Sequence, residues 1–341
     1  MQRYPLRFRS ILKERVWGGN SLATLLGREI PAGMRVGEAW EIVDRPPDTS
    51  VVENGPLAGR TLHDICEEHG PDLLGPNVPY HDRFPLILKL LDPHDRLSVQ
   101  LHPTAAYVER HPEAGAAKNE LWYALHAEPG AQIIHGLVEG ATIEDLKAAL
   151  DKGEVEPLLR FVPVEAGGFY YMPSGLIHAL LPGSVMVEIQ QNSDTTFRLY
   201  DWGRLGLDGK PRELHVAEAV EAAESFWGDP ALGDHEALGP AGLPGGVERL
   251  GGLHSPFFRV EKLRIAPGKA CLGLDAQSFT VLVGVGGSLT VACRGGDAVS
   301  AELGVGDSAL VPAGVEALEV EAADGAALLT TTLPRPSGTT G

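Results

Sequence analysis

Short apolar runs of strand length recur along the whole chain, and almost every one is closed by glycine or proline. In the first two thirds they fall at 84–91, 97–102, 121–125, 132–134, 168–172, 185–191 and 197–202. These lengths and their flanking turn residues fit strands rather than helices. Two segments have helical spacing instead. Thr142-Ile-Glu-Asp145 predicts an N-cap answered by an acid three residues on, opening a helix to about residue 150 with a second expected near 157–162. Residues 212–226 carry Leu214, Val216, Ala217, Val220 and Ala223 with glutamates between them, the pattern of an amphipathic helix. Residues 228–252 are rich in Gly, Pro, Ala and Leu, lose this periodicity and read as a connector. Beyond it, runs at 258–265, 279–285, 288–293, 308–311, 317–321 and 327–331 predict an all-β second half, a small sandwich or barrel, and 337–341 predict a disordered tail.

One pattern occurs twice. Gly167-x5-Pro173-x-Gly175-x2-His178 is matched in every spacing by Gly306-x5-Pro312-x-Gly314-x2-Ala317, with Ala where the first copy has His. In a chain with 42 glycines such a match arises by chance, or it marks a repeated β unit of which one copy has lost a ligand.

The chain has 341 residues, 43% hydrophobic and 22% charged, the balance of a globular protein large enough for two compact units. Its 46 acids against 28 bases leave a formal net charge of −18. That field repels nucleic acid and anionic lipid, so neither is expected as a partner. A phosphorylated small molecule remains possible only where Arg and Lys gather locally. The apolar run at 84–91 is interrupted by Pro85 and Lys89 and is too short to cross a bilayer. The N-terminal residues lack the apolar core of a signal peptide. Cys66, Cys271 and Cys293 are widely separated and odd in number, which suggests no disulfide framework. A cytoplasmic location is the expectation. Whether the chain is a monomer or a homodimer is not legible.

Candidate chemistry begins at Leu97-Ser-Val-Gln-Leu-His-Pro103. A period of two puts Ser98, Gln100 and His102 on one face of a strand and Leu97, Val99 and Leu101 on the other. The polar face belongs either to a solvent-facing edge or to a cavity in which Gln100 and His102 are metal ligands. Glu120 heads the apolar run that follows Lys118-Asn119. His178 follows the Pro173-Ser-Gly175 turn, either as a core histidine with one hydrogen bond or as a further ligand. Together Gln100, His102, Glu120 and His178 offer two imidazoles, a carboxylate and an amide oxygen, a set suited to Zn²⁺ or a related divalent ion. The dense polar stretch 190–204 is either a surface loop or a pocket wall that presents Arg198 to an oxyanion. Lys118 lies two residues before Glu120, on the same side of an extended segment, and Arg204 and Lys89 are further candidate bases for a sugar phosphate.

These segments resemble the type I mannose-6-phosphate isomerases, in particular their short bacterial class. The stretches that carry the resemblance are Val16-Trp-Gly-Gly19, Gly37-Glu-Ala-Trp-Glu41, Lys89-Leu-Leu-Asp92, LSVQLHP, KNELWY, YYMPSGLIHAL, QQNSDTTFRLYDWGR and RELHVAEA. They cover roughly residues 6–220, with a weaker continuation through 255–263. The resemblance implies a mainly β chain of two cupin (jelly-roll) barrels with a small helical insertion, the metal site in the first barrel only. The implied division is a catalytic domain at 1–227, a connector at 228–252, a degenerate cupin at 253–336 and a tail at 337–341. It implies one Zn²⁺ per chain on Gln100, His102, Glu120 and His178, with Arg198 and Lys118 catalytic. Ser98, Lys89, Asp194 and Arg204 are then the expected substrate contacts. Two positions depart from the family's pattern: Asn119, where relatives often have Thr, touches the surroundings of the ligands, and His135, where relatives often have an aromatic residue, bears on pocket shape.

The implied reaction interconverts mannose 6-phosphate and fructose 6-phosphate through an enediol. The base that shuttles the proton is left open among a metal-bound water, Lys118, Glu188 and Asp194. Three rivals remain: an isomerase of an unphosphorylated aldose, a non-catalytic sugar-binding or regulatory cupin, and an iron-dependent cupin oxygenase. The mixed Gln–His–Glu–His set and Arg198 argue against the last, which usually relies on more histidine.

Overall fold

The structure, a computed structural model, describes residues 1–76, 78, 80–228 and 235–334. The expected tail at 337–341 lies outside them. The chain is mainly β and divides into two compact units, neither contiguous in sequence. One comprises Met1–Ile11, Glu41–Ile87 and Asp234–Gly341, the other Leu12–Trp40 and Leu88–Gly233. They are called here the Ala317 unit and the His178 unit.

The His178 unit contains a five-stranded sheet in the order Phe197–Tyr200, Val99–Leu101, His178–Leu180, Gln132–Leu137, Leu159–Pro163. It also holds most of a six-stranded sheet, in which Ser184–Gln191, Glu120–Ala127 and Phe169–Met172 are successive neighbours. Trp122, Met172 and Met186 from the larger sheet share one core with Ile133 and Leu180 from the smaller, so the two sheets face each other. The outer face of the five-stranded sheet, which presents Val99, Leu101, Ala179 and Leu199, is covered by three helices. These are Ala105–Arg110, Ile143–Lys152 and Val216–Gly228. The period-two reading of 97–102 is therefore realised, with Val99 and Leu101 under the helices and Ser98 and Gln100 on the other side. Each such fully buried aliphatic side chain contributes about 1.5–3 kcal/mol. The Ile143–Lys152 helix starts with the expected capping box, the Thr142 hydroxyl accepting from Asp145 N while Asp145 accepts from Thr142 N.

The Ala317 unit pairs a seven-stranded with a four-stranded sheet. Leu263, Leu282 and Leu328 of the first meet Leu272, Val291 and Val320 of the second in one core. Part of the segment read as a connector is built into it: Glu236–Leu238 and Ala241–Leu243 both pair with Val247–His254, which pairs in turn with Arg259–Ile265. The first two strands are short and largely uncovered, so they carry no hydrophobic period to read. The helix expected near 157–162 is not formed. One 3-10 turn at Glu156–Leu158, with Pro157 in its first positions, leads into the edge strand Leu159–Pro163, whose ladder with Gln132–Leu137 outweighs any local helical preference. The helix Leu62–Leu74 leaves little mark on the hydrophobic pattern, because Gly70, Pro71 and the non-helical His69 interrupt it.

The doubled glycine–proline pattern is a structural repeat. Gly175 (φ +85) and Gly314 (φ +77) both sit in the left-handed region that a side chain resists. Gly167 N donates to Ala124 O as Gly306 N donates to Gly284 O, and Gly175 N donates to His102 O as Gly314 N donates to Ala276 O. Met172 pairs with Glu120 as Val311 pairs with Thr280, and His178 pairs with Gln100 as Ala317 pairs with Gly273. Gly273, Ala276, Thr280 and Ala317 thus occupy the places of Gln100, His102, Glu120 and His178.

Candidate metal centre

Three neighbouring strand ends bring the expected ligands together. His102 follows the Val99–Leu101 strand, Glu120 opens Glu120–Ala127, and His178 opens His178–Leu180. All three side chains are buried, and one ligand atom from each lies within 4.8 Å of the others. Glu120 sits between the imidazoles, with Oε2 3.3 Å from His102 Nε2 and Oε1 3.3 Å from His178 Nε2. None of these four buried atoms makes a hydrogen bond of regular geometry. Oε2 of Glu120 has the Lys118 ammonium beside it, but both Nε2 atoms and Oε1 are left without a regular partner among the described residues, and a cation at their common focus would satisfy them together.

The opposite edge of each ring explains why both Nε2 atoms point inward. His102 Nδ1 lies 2.9 Å from Thr195 O, and His178 Nδ1 lies 2.9 Å from Leu176 O. A carbonyl only accepts, so each Nδ1 is the donor there, which leaves Nε2 as the nitrogen of each ring that faces the cluster. Burial, reinforced by the Lys118 ammonium, pushes the His102 imidazole down to about 3. Burial would raise the Glu120 carboxyl, but Lys118 and His102 outweigh it and hold it well below the usual carboxylate range. Two inward-facing imidazole Nε2 atoms and one ionised carboxylate are the kind of donor set that suits a divalent transition ion.

Gln100 stands beside this cluster, paired across the sheet with both His178 and Arg198. Its Oε1 accepts from Ser98 Oγ at 3.0 Å, and Ser98 Oγ accepts in turn from Arg198 Nε at 3.3 Å. Arg198 also donates to Glu213 O at 2.8 Å. Gln100, Ser98 and Arg198 line a cavity of about 630 Å³ together with Lys118, Lys89, Glu188 and the exposed Asp194.

The cations on this wall differ in how far they are already compensated. Lys118 Nζ is 2.8 Å from Glu120 Oε2. Lys89, buried, is 3.1 Å from Glu188 and 3.9 Å from Glu38; burial alone would lower its ammonium, but these two carboxylates raise it above the ordinary lysine value. Arg198 makes no ion pair with a carboxylate among the described residues. Arg204, expected at the substrate, is held by Asp201 at 2.8 Å and by Asp95, and does not line the cavity. Asp201 is also bound by Arg212, so it is a ready sink for a flexible guanidinium. His135 does not line the cavity either: it lies 2.9 Å from Tyr171 O and is capped by Arg160, so the departure there leaves pocket shape alone. Asn119 does act around the ligands. Its Oδ1 accepts from Ser174 N at 2.9 Å and its Nδ2 donates to Gln191 Oε1 at 2.8 Å, clamping the turn that delivers His178.

Several contributors were not singled out from the sequence. Trp122 packs edge-on to His178 and donates from Nε1 to Glu188 at 2.9 Å. Arg15 and Trp40 both bind Glu38, and His215 and Arg212 complete the wall. The aromatic and charged residues of Val16-Trp-Gly-Gly19 and Gly37-Glu-Ala-Trp-Glu41 were the available signal for this side of the cavity. No helix among the described residues is long and apolar enough to cross a membrane.

The profile of the family described as phosphomannose isomerase type I, catalytic domain, matches residues 6–126. The chain is 43% identical over 220 residues to mannose-6-phosphate isomerase ManA of Bacillus subtilis, covering 64% of this chain and 68% of that protein. It is 38% identical over 263 residues to the mannose-6-phosphate isomerase of Streptococcus mutans, covering 77% and 79%. The crystal structure of the mannose 6-phosphate isomerase from Bacillus subtilis superposes with a TM-score of 0.84 at 33% identity, over 96% of this chain and 99% of that one.

Proposed function

The chain belongs to the type I phosphomannose isomerase family, and from that premise we propose that it interconverts mannose 6-phosphate and fructose 6-phosphate. In this reading the two units are a pair of cupin barrels, and the His178 barrel holds one Zn²⁺ per chain. The observation that carries it is the convergence of two imidazoles, each anchored through Nδ1, and one ionised carboxylate beside Arg198, a cation with no carboxylate partner among the described residues. His102, Glu120 and His178 would hold the ion, with Gln100 as the fourth ligand. The Gln100 amide oxygen has a second lone pair beyond the one used by Ser98. When bound, zinc supplies Lewis acidity toward the sugar carbonyl and the oxygens of the enediol.

The remaining roles belong to the chain itself. Arg198 is aimed by Ser98 and the Glu213 carbonyl, so its fork is presented to an enediolate oxygen or to phosphate without first breaking an ion pair. Lys118 donates toward a sugar hydroxyl from its place beside Glu120. Lys89 and Asp194 are further polar contacts on the cavity wall, and Arg204 stays with Asp201. Lys118, Glu188 and Asp194 are the wall groups able to carry a proton between C2 and C1.

The deciding experiment is mannose 6-phosphate turnover before chelation, after it, and after zinc is restored. Activity should vanish and return. No turnover in a folded, zinc-loaded sample would remove the substrate assignment, and equal rates on mannose with and without the 6-phosphate would move it to an unphosphorylated aldose.

A further inference from the structure

The Ala317 unit has a cavity of its own, of about 430 Å³, lined in part by Gly273 and Thr280. These are the residues that stand in the places of Gln100 and Glu120, so the cavity opens where the repeat places the metal centre in the other unit. Gly273 contributes no side chain, and Ala276 and Ala317 contribute only methyls, which excludes a metal of the His178 kind. The remaining wall is nonetheless polar. Arg259, Glu261, Thr330 and Thr332 share one face, because Arg259 pairs with Thr332 and Glu261 with Thr330 across the ladder. Leu282 pairs with Thr330 as well, which places Thr280 on that same face.

Two features mark this wall as unfinished. Thr280 is 1% exposed, yet among the described residues its hydroxyl has no hydrogen-bond partner, and neither has the buried Nδ1 of His254 on the same cavity. An unpaired buried hydroxyl is unfavourable, so it is a group a ligand can satisfy. Glu261 is half-finished in the same sense. Arg249 and Arg259 both donate to its Oε1 at 2.9 Å, which leaves Oε2 for a ligand donor.

We propose that this cavity is a second, metal-independent binding site for a neutral polyhydroxylated molecule of monosaccharide size. The chemistry excludes the other classes. An anion would meet an Arg259 already neutralised by Glu261, beside Asp275, in a chain of net charge −18. A purely apolar ligand would leave the Thr280 hydroxyl and His254 Nδ1 without a partner. A sugar offers vicinal hydroxyls to the carboxylate and guanidinium, a further hydroxyl to Thr280, and C–H faces to Leu272 and Leu263.

The test is a titration of the full chain with D-mannose, D-glucose or inorganic phosphate, read at the methyl resonances of Thr330 and Leu272. Sugar should shift both saturably and phosphate should not. Thr280→Val, which removes the hydroxyl at nearly constant shape, should weaken the sugar response roughly five- to tenfold and leave isomerase turnover unchanged. Glu261→Gln should weaken it as well, and His178→Ala should leave it intact, which separates this site from the metal centre. No shift, a shift with phosphate alone, or an unchanged affinity in Thr280→Val would overturn the proposal.

Discussion

In the His178 unit the strand leaving the Pro173–Gly175 turn begins with an imidazole, its ladder partner supplies Gln100, and the facing sheet supplies Glu120. In the Ala317 unit the strand leaving the Pro312–Gly314 turn begins with a methyl, and the corresponding neighbours are Thr280 and Gly273. The backbone hydrogen bonds that hold the two turns match to within 0.1 Å, at 2.7 and 2.8 Å. A frame of ladder bonds and left-handed glycines therefore forms whether or not ligands hang from it. The strand–turn–strand is maintained by backbone geometry, while the candidate metal site is an addition of side chains. What those side chains change is the character of the cavity: one focuses lone pairs on a cation, the other keeps hydroxyls and a shared carboxylate.

The comparison breaks most sharply at His178. His178→Ala makes the first copy resemble the second at its central position, and metal content measured by elemental analysis should fall to background. Turnover should drop by more than the roughly 10–100-fold typical of losing a mere outer partner of a metal ligand. A variant that still holds stoichiometric metal would show that the two copies differ in something other than this ligand.

Arg198 sharpens the same contrast, since it separates binding the ion from using it. Arg198→Ala should lower turnover by roughly 10²–10³-fold, the cost of removing a preorganised donor to a developing negative charge. Metal content should stay near that of the parent. Loss of metal in this variant would assign Arg198, through Ser98 and Gln100, a role in holding the site together.

A smaller effect concerns the walls. Arg15, Trp40 and Lys89 surround Glu38 on the first cavity, much as Arg249 and Arg259 bind Glu261 on the second. Burial opposes ionisation of Glu38, but Lys89 and Arg15 prevail and lower its carboxyl from 4.5 to about 2. A depressed carboxyl stabilises the fold at pH above its unfolded value, and that stabilisation is lost as pH falls through the folded one. On the order of 3 kcal/mol should therefore disappear between pH 4.5 and about 2. Glu38→Gln should flatten that part of the acid-unfolding curve, and an unchanged curve would mean that solvent screens the pairs.

Much of the site was legible because its residues lie in short strands whose period is visible locally. Alternation alone put Ser98 and Gln100 opposite Val99 and Leu101, and the glycine–proline echo singled out His178 against Ala317. The strands at 236–254 were not legible, since short, partly exposed strands leave no apolar pattern. Nor was the fate of Arg204, whose partner Asp201 is near in sequence but whose exclusion from the cavity depends on how the loop folds.

The sequence by itself determined the donor types, the family, and which copy of the repeat lacks its ligands, because identity and spacing are properties of the linear chain. Tertiary structure alone decided which nitrogen of each histidine faces inward and which cations are already neutralised. It also decided that an orphaned Thr280 lines a second cavity. Two of these rest on partners far along the chain, Thr195 for His102 and Glu188 and Glu38 for Lys89, whereas the Nδ1 of His178 is held by the nearby Leu176 carbonyl. Where such distant neighbours set protonation and charge compensation, no local pattern encodes them.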